Sequence, residues 1–214
     1  MAARGRFITL EGGEGVGKST LARALKAARE VRGLKVVLTR EPGGTPGAEA
    51  LRSLILTPPD AVGSWGPLTE ALMFYAARRD HLDKLIRPSV DAGAWVICDR
   101  FSDSTRAYQA AGGGLSREEV ETLERLCVGA HGPDLTLVLD MPLSASRGRM
   151  TARATKADAI ESRGHDYHER VRQAFLDIAK AEPKRCVVLD ASASADAVAA
   201  AALKSIDARL GAAG

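Results

Sequence analysis

Aromatic side chains are scarce in this chain: four Phe, three Tyr and two Trp among 214 residues. Proteins that hold single-stranded nucleic acid stack successive bases on aromatic rings. The sequence offers no such platform, and no nucleic-acid partner is expected. Cysteine is sparse too. Cys98, Cys127 and Cys186 lie far apart and form no C-x-x-C pair. That argues against a disulfide framework or a cysteine zinc site and fits free thiols in a reducing compartment. His165 and His168 are three apart, with no cysteine or acidic cluster to complete a metal site, and read as surface helix positions. No apolar run is long enough to cross a bilayer, and no signal-peptide pattern opens the chain. A cytoplasmic protein with no membrane partner is expected. Nor does charge of one sign dominate, since 30 Lys and Arg face 27 Asp and Glu, for a net charge of +3. An anionic small-molecule substrate accounts for that excess as well as nucleic acid does. No internal repeat is visible.

What is present begins with 45% hydrophobic residues, enough for one α/β domain over residues 1–214 with a full core. The organising stretch is Gly12-Gly13-Glu14-Gly15-Val16-Gly17-Lys18-Ser19-Thr20, which carries G-x-x-x-x-G-K-S from Gly12 to Ser19. It follows a short apolar run, Phe7-Ile8-Thr9-Leu10, and precedes a helical pattern from Leu21 to Ala28. Strand, glycine loop and helix together form a phosphate-binding loop. The glycines allow backbone N–H groups to turn inward, and the helix adds its positive end. Lys18 then reaches the β- and γ-phosphates, and the Ser19 hydroxyl takes a Mg²⁺ position.

Further along, Leu34–Thr39 reads as the second strand. Arg40-Glu41-Pro42-Gly43-Gly44-Thr45-Pro46-Gly47 is irregular and sits after a strand, where α/β proteins place ligand loops. Helical patterns cover 48–56, with Arg52, and about 68–86. In the second of these, Phe74 and Arg78 are four apart and share a face. Spacing alone fits core packing for Phe74 and a solvated face for Arg78 and Arg79 equally well. Ala94–Cys98 reads as a central strand ending at Asp99-Arg100, a carboxylate and a guanidinium suited to magnesium-bound water and to phosphate. A short helix over 101–111 carries Ser104, Tyr108 and Gln109. Ser116-x-x-Glu119 is a capping box opening a helix to about 128. Strands at 135–139 and 186–189 flank an arginine-rich stretch with Arg147, Arg149, Arg153 and Lys156. That stretch reads as a solvated face or as a closing lid over about 147–165. Five apolar strands alternating with helices predict a parallel sheet covered on both faces.

A nucleotide hydrolase needs the glycine loop and a water-positioning group. A kinase needs two facing anion sites and a means of excluding water. Arginines on two separate elements favour the kinase. Thr155-Lys156-Ala157-Asp158 matches the letters of a guanine-specificity motif but lies in a basic helical stretch, not after a strand. Asp60-Ala61-Val62-Gly63 likewise follows two prolines. A GTPase is therefore not expected.

The motifs together resemble the bacterial thymidylate kinases over almost the whole chain. The resemblance rests on E-G-G-E-G-V-G-K-S-T at 11–20, T-R-E-P-G-G-T at 39–45, L-R-S-L-I-L at 51–56 and L-M-F-Y-A-A-R at 72–78. D-R-F-S-D-S-T-R-A-Y-Q at 99–109 and P-D-L-T-L-V-L-D at 133–140 complete it. It implies a P-loop NTPase three-layer fold, ATP with Mg²⁺ as donor, dTMP as acceptor, and a homodimer. It further implies that Phe74 stacks on thymine, Arg78 bonds a thymine carbonyl and Gln109 meets the base edge. By the same resemblance Tyr108 lies near the sugar, Arg52 and Arg100 hold the acceptor phosphate, and Ser104, Glu41 and Pro42 belong to the acceptor pocket. Glu14 would bond the sugar 3′-hydroxyl and position the acceptor. Gly15 stands where some relatives carry a loop arginine, so the lid residues Arg149 and Arg153 are implied in transfer. Ala159, Arg163 and Gly113 depart from the family pattern, the first by removing a lid arginine. Two alternatives stay open: a kinase for another nucleoside monophosphate, and a non-catalytic nucleotide-binding module.

Overall fold

The computed structural model describes residues 4–151 and 159–211, except for the side chains of residues 147 and 149–151. The strands are β1 (Phe7–Glu11), β2 (Val36–Arg40), β3 (Trp95–Asp99), β4 (Leu135–Asp140) and β5 (Cys186–Asp190). They form one parallel sheet in the order β2-β3-β1-β4-β5. β1, β3 and β4 are buried on both sides along nearly their whole length, which is why their sequences read as unbroken apolar runs.

Alternate residues of β1 feed opposite layers. Ile8 and Leu10 pack with Leu21 and Leu25 of α1 (Lys18–Glu30) and with Val198, Ala202 and Ile206 of α9 (Ala195–Leu210). Phe7 enters the other layer with Ala71 and Tyr75 of α3 (Pro67–His81) and Val120 of α6 (Arg117–Cys127). A further cluster on that side joins Tyr108 and Val138 to Tyr167, Val171 and Phe175 of α8 (His165–Ala181). α1 follows β1, whereas the elements leading from β3 to β4 cover the opposite face. Strand connectivity therefore reverses around β1, and a crevice opens at the strand C-terminal ends there.

The long helical pattern after Pro67 is three pieces in line: α3, a π-helical turn over Leu82–Ile86, and α4 (Arg87–Asp91). The segment after β3 is α5 (Ser102–Thr105) continued by a π-helical stretch, Arg106–Gly112. α2 runs Pro46–Leu56, two residues earlier than its apolar period, because the Thr45 hydroxyl caps it by accepting from Ala48 N. The Ser116–Glu119 capping box is present at the start of α6. β2 begins at Val36, not Leu34, since α1 gives way to a turn through Gly33 at φ 81°. α7 covers Leu143–Thr151 and enters the predicted lid, of which residues 152–158 lie outside the description.

Candidate active site

The glycine loop takes the shape its sequence demands. Gly12 has φ 129°, and a Cβ there would fall 2.3 Å from the carbonyl oxygen of Leu139 on β4. Only glycine permits that approach. Gly17, at φ 99°, precedes α1, so the positive end of that helix faces the loop. Lys18 Nζ folds over the loop and donates to the carbonyls of Gly12 (3.1 Å) and Gly13 (2.6 Å). Burial, then the neighbouring Arg100, pushes the Lys18 ammonium below its ordinary range.

β1 and β3 lie side by side, with Leu10 opposite Asp99, which brings the loop and Asp99-Arg100 to one edge. The Ser19 hydroxyl donates to Asp99 Oδ2 at 2.8 Å. A hydroxyl and a carboxylate beside a phosphate loop are hard oxygen donors, the kind Mg²⁺ takes together with waters and phosphate oxygens. Among the described residues no cluster of three or more His, Cys, Asp or Glu is placed to hold a metal by itself.

Arg100 is the hub. Its backbone has φ 72°, unusual for a residue with a Cβ. The turn is secured from beneath by Glu11, whose Oε1 accepts from Phe101 N (2.8 Å) and Ser104 N (3.3 Å), and whose Oε2 accepts from Ser104 Oγ (2.6 Å). So held, Arg100 Nη1 donates to Gly12 O (3.0 Å) and Ser104 Oγ (3.1 Å), and Nη2 to Glu14 Oε1 (2.6 Å) and the Tyr108 hydroxyl (2.9 Å). Its guanidinium lies 4.9 Å from the Tyr108 ring centroid. Burial pushes the Glu14 carboxyl up, but Arg100 and Lys18 outweigh it and bring the group down to about 2. Glu14 is thus a fixed carboxylate between two cations.

The second half of the site is built on α3. Glu70, Phe74, Arg78 and His81 recur at spacings of four, four and three, which places them on one helix face. Arg78 is 1% exposed, not a solvated side chain. Its Nε donates to Glu41 Oε2 (2.8 Å) and its Nη2 to Phe101 O and Thr105 Oγ1 (both 3.1 Å). The third nitrogen, Nη1, is buried with no hydrogen-bond partner. His81 Nδ1 lies 3.0 Å from Glu41 Oε1 and its Nε2 2.7 Å from Thr39 Oγ1, so Glu41 is clamped from both sides. The Glu41–Pro42 peptide is cis. Arg52 Nη1 donates to Pro42 O at 2.7 Å. Gln109 is buried, and its Nε2 donates to Glu70 Oε1 at 2.6 Å.

One cleft of about 310 Å³ is lined by both halves: Glu14, Lys18, Ser19, Asp99, Arg100, Ser104 and Tyr108 on one side, and Glu41, Pro42, Arg52, Phe74, Arg78 and Gln109 on the other. A second cavity, about 260 Å³, runs along the outer side of the glycine loop between Thr20 and the 191–198 segment. A cation-rich floor beside the loop and an apolar ring with an orphaned donor opposite it make a two-substrate arrangement.

The profile of the thymidylate kinase family matches residues 10–202. The chain belongs to the thymidylate kinase family. It is 50% identical over 208 residues to a thymidylate kinase of Caulobacter vibrioides, covering 97% of this chain and 99% of that one. A thymidylate kinase of Rhizorhabdus wittichii is 48% identical over 203 residues, covering 94% and 97%. Among solved structures, the thymidylate kinase of Ehrlichia chaffeensis superposes with a TM-score of 0.75 at 33% identity, over 95% of this chain and 99% of that one.

Set on this thymidylate kinase framework, the residues expected from sequence divide cleanly. Those named for the glycine loop, the Asp99-Arg100 corner and the acceptor pocket converge on adjoining cavities. The side chain of Arg149, and Arg153 altogether, lie outside the described residues. Ile160 and Glu161, just beyond that segment, also line the main cleft. Sequence reasoning missed Glu70, His81 and Arg163. The first two were accessible by extending the Phe74–Arg78 spacing one step each way. Arg163 stood out only as a departure from the family pattern, which gave no sign that it donates to Glu70 Oε2 at 2.5 Å.

Proposed function

We propose that this chain is a dTMP kinase, transferring the γ-phosphoryl group of ATP to the 5′-phosphate of dTMP to give dTDP and ADP. The observation that carries this reading is the single cleft joining a glycine loop and Arg100 to a pocket with Phe74 and an unpartnered Arg78 donor. ATP lies with its phosphates along Gly12–Thr20 and its nucleoside toward the cavity by residues 191–198. Thymine enters between Phe74 and the buried wall, and its carbonyl accepts from Arg78 Nη1. Gln109 meets the base edge. Tyr108 and Glu14 stand at the sugar, Glu41 and Pro42 shape the wall, and Arg52, Arg100 and Ser104 receive the acceptor phosphate.

Transfer of a phosphoryl group requires alignment and charge neutralisation more than covalent help from the protein. Lys18 neutralises the group in transit. Glu14, pinned between Lys18 and Arg100, holds the acceptor in line. Mg²⁺ fits at Ser19 and, through water, Asp99, and supplies charge compensation on the phosphates when bound. Arg149 and Arg153 belong to the lid segment, residues about 147–165, and add cations as it closes and excludes water. The chain acts as one domain, residues 1–214, in the cytoplasm. It pairs with a second copy through the exposed Leu54, Leu68 and Leu72 of α2 and α3.

A coupled ADP-release assay with ATP-Mg²⁺ against dTMP, dUMP, dCMP, dAMP and dGMP tests the reading. Strong preference for dTMP is expected. Preference for another monophosphate would retain the kinase and discard the thymine pocket, and ATP hydrolysis indifferent to every acceptor would discard the kinase.

A further inference from the structure

Glu70 has no part in the mechanism above, yet its carboxylate is enclosed beside the pocket, with the residue only 5% exposed. Its Oε1 accepts from Gln109 Nε2 at 2.6 Å and its Oε2 from Arg163 Nη2 at 2.5 Å. A primary amide has a donor end and an acceptor end of nearly equal size, so packing alone does not choose between its two orientations. A carboxylate removes the ambiguity because it only accepts. Facing Glu70, Gln109 must present its NH₂ there, which leaves the carbonyl oxygen Oε1 as the end turned elsewhere.

Glu70 is itself held from behind. Arg163 Nη1 donates to the Tyr167 hydroxyl at 2.7 Å, and its guanidinium lies 4.8 Å from that ring's centroid. The Tyr167 hydroxyl donates onward to the backbone carbonyl of Tyr108 at 3.0 Å. The carboxylate is therefore braced between α8 and the π-helical stretch that carries Gln109. Removing a side chain's freedom this way is how a site fixes a polar contact in advance of its ligand.

We infer that Glu70 is a specificity-determining positioning residue: by locking the Gln109 amide, it makes Oε1 the atom offered to the pyrimidine edge. An acceptor at that place bonds the N3–H of thymine. It meets a bare acceptor at N3 of cytosine, and both are then left unpaired. Arg78 Nη1 supplies the complementary donor for the adjacent carbonyl. A buried polar group deprived of its partner is what rejects the wrong base. The inference rests on the thymine-pocket reading above, and Glu70 acts through Gln109 without touching substrate.

Glu70→Gln keeps the shape, but Arg163 takes the new amide's oxygen and turns its NH₂ toward Gln109, which then answers with Oε1 and presents its own NH₂ to the base. The dTMP KM should rise roughly tenfold with kcat nearly unchanged, and the kcat/KM ratio of dTMP over dCMP should fall by roughly tenfold. Adding Gln109→Glu should restore the ratio, since a carboxylate at position 109 accepts from the introduced amide with one oxygen and offers the other to the base. Unchanged dTMP KM and unchanged ratio in Glu70→Gln would overturn the inference. Gln109→Ala separates the two readings. If it also leaves dTMP KM and selectivity untouched, the thymine pocket itself fails; if it damages both while Glu70→Gln does not, only the role of Glu70 fails. Should Glu70→Gln fold poorly, the wild-type protein still decides. The Gln109 side-chain NH₂ protons, followed by ¹⁵N NMR, should exchange slowly with solvent both free and with dTMP bound. Fast exchange in both states would overturn the lock.

Discussion

Glu41 Oε2 and Arg78 Nε lie 2.8 Å apart, with side chains 3% and 1% exposed. A buried pair of this kind is costly to break from one side, because the remaining charge has neither water nor partner. Glu41→Gln should therefore lower unfolding free energy by about 3–5 kcal/mol. It should also raise the dTMP KM as Arg78 loses its fixed pose. Urea unfolding and steady-state kinetics on the same preparation check both; stability within experimental error of wild type would show the pair contributes nothing.

Arg78→Ala removes the orphaned Nη1 donor together with its support. We expect dTMP KM to rise by roughly tenfold or more while ATP affinity is kept. An unaltered dTMP KM would take Arg78 out of the base site.

The carboxyl beneath Arg100 predicts a pH effect. Burial, reinforced by nearby Asp103, raises the Glu11 carboxyl from 4.5 to about 7. The native protein thus keeps a proton that the unfolded chain releases above about 4.5. That contribution to stability is complete below pH 4.5 and is lost as the pH climbs through about 7. Its size is on the order of 3 kcal/mol. Glu11→Gln cannot titrate, so the stability difference between wild type and variant should change between about pH 5 and about pH 8, with wild type losing ground as pH rises. Parallel pH curves would refute the assignment.

If Arg153 belongs to the expected lid, Arg153→Ala should lower kcat by roughly tenfold or more with little change in dTMP affinity, the signature of a cation felt in transfer. Single-turnover and equilibrium binding experiments separate the two. An unaltered kcat would reduce Arg153 to a surface charge.

Leu72→Glu tests the pairing of two copies. Leu54, Leu68 and Leu72 are 44%, 45% and 49% exposed, and if they carry the proposed pairing a charge at Leu72 should shift the species seen by sedimentation from dimer to monomer. A wild type that already sediments as a monomer would discard the pairing, and a variant that stays dimeric would move the interface elsewhere.

How much of this was legible beforehand follows from the range of each interaction. The strands could be read because β1, β3 and β4 are buried on both faces and leave an unbroken apolar signature. The loop from Gly12 to Ser19 could be read because its chemistry is local. The sheet order could not, since Leu10 and Asp99 are neighbours only after the chain has folded. Arg78 was equally compatible with solvent because its partner Glu41 is 37 residues away. Phe74 and Arg78 could be paired by helical spacing, whereas Arg163 reaches Glu70 across 93 residues, and its departure from the family pattern gave no sign of that partner.

Arg100 donates at once to Gly12 and Glu14 of the phosphate loop and to Tyr108, which the proposed reading sets at the acceptor's sugar. On the proposed reading the two nucleotides share this side chain, so each is expected to alter what the other finds. Any change that one makes in the affinity of its companion must be returned by the same factor. Calorimetric titration of each nucleotide, with a non-reacting analogue of the other present and absent, should yield two equal ratios different from one; ratios of one would mean the hub transmits nothing.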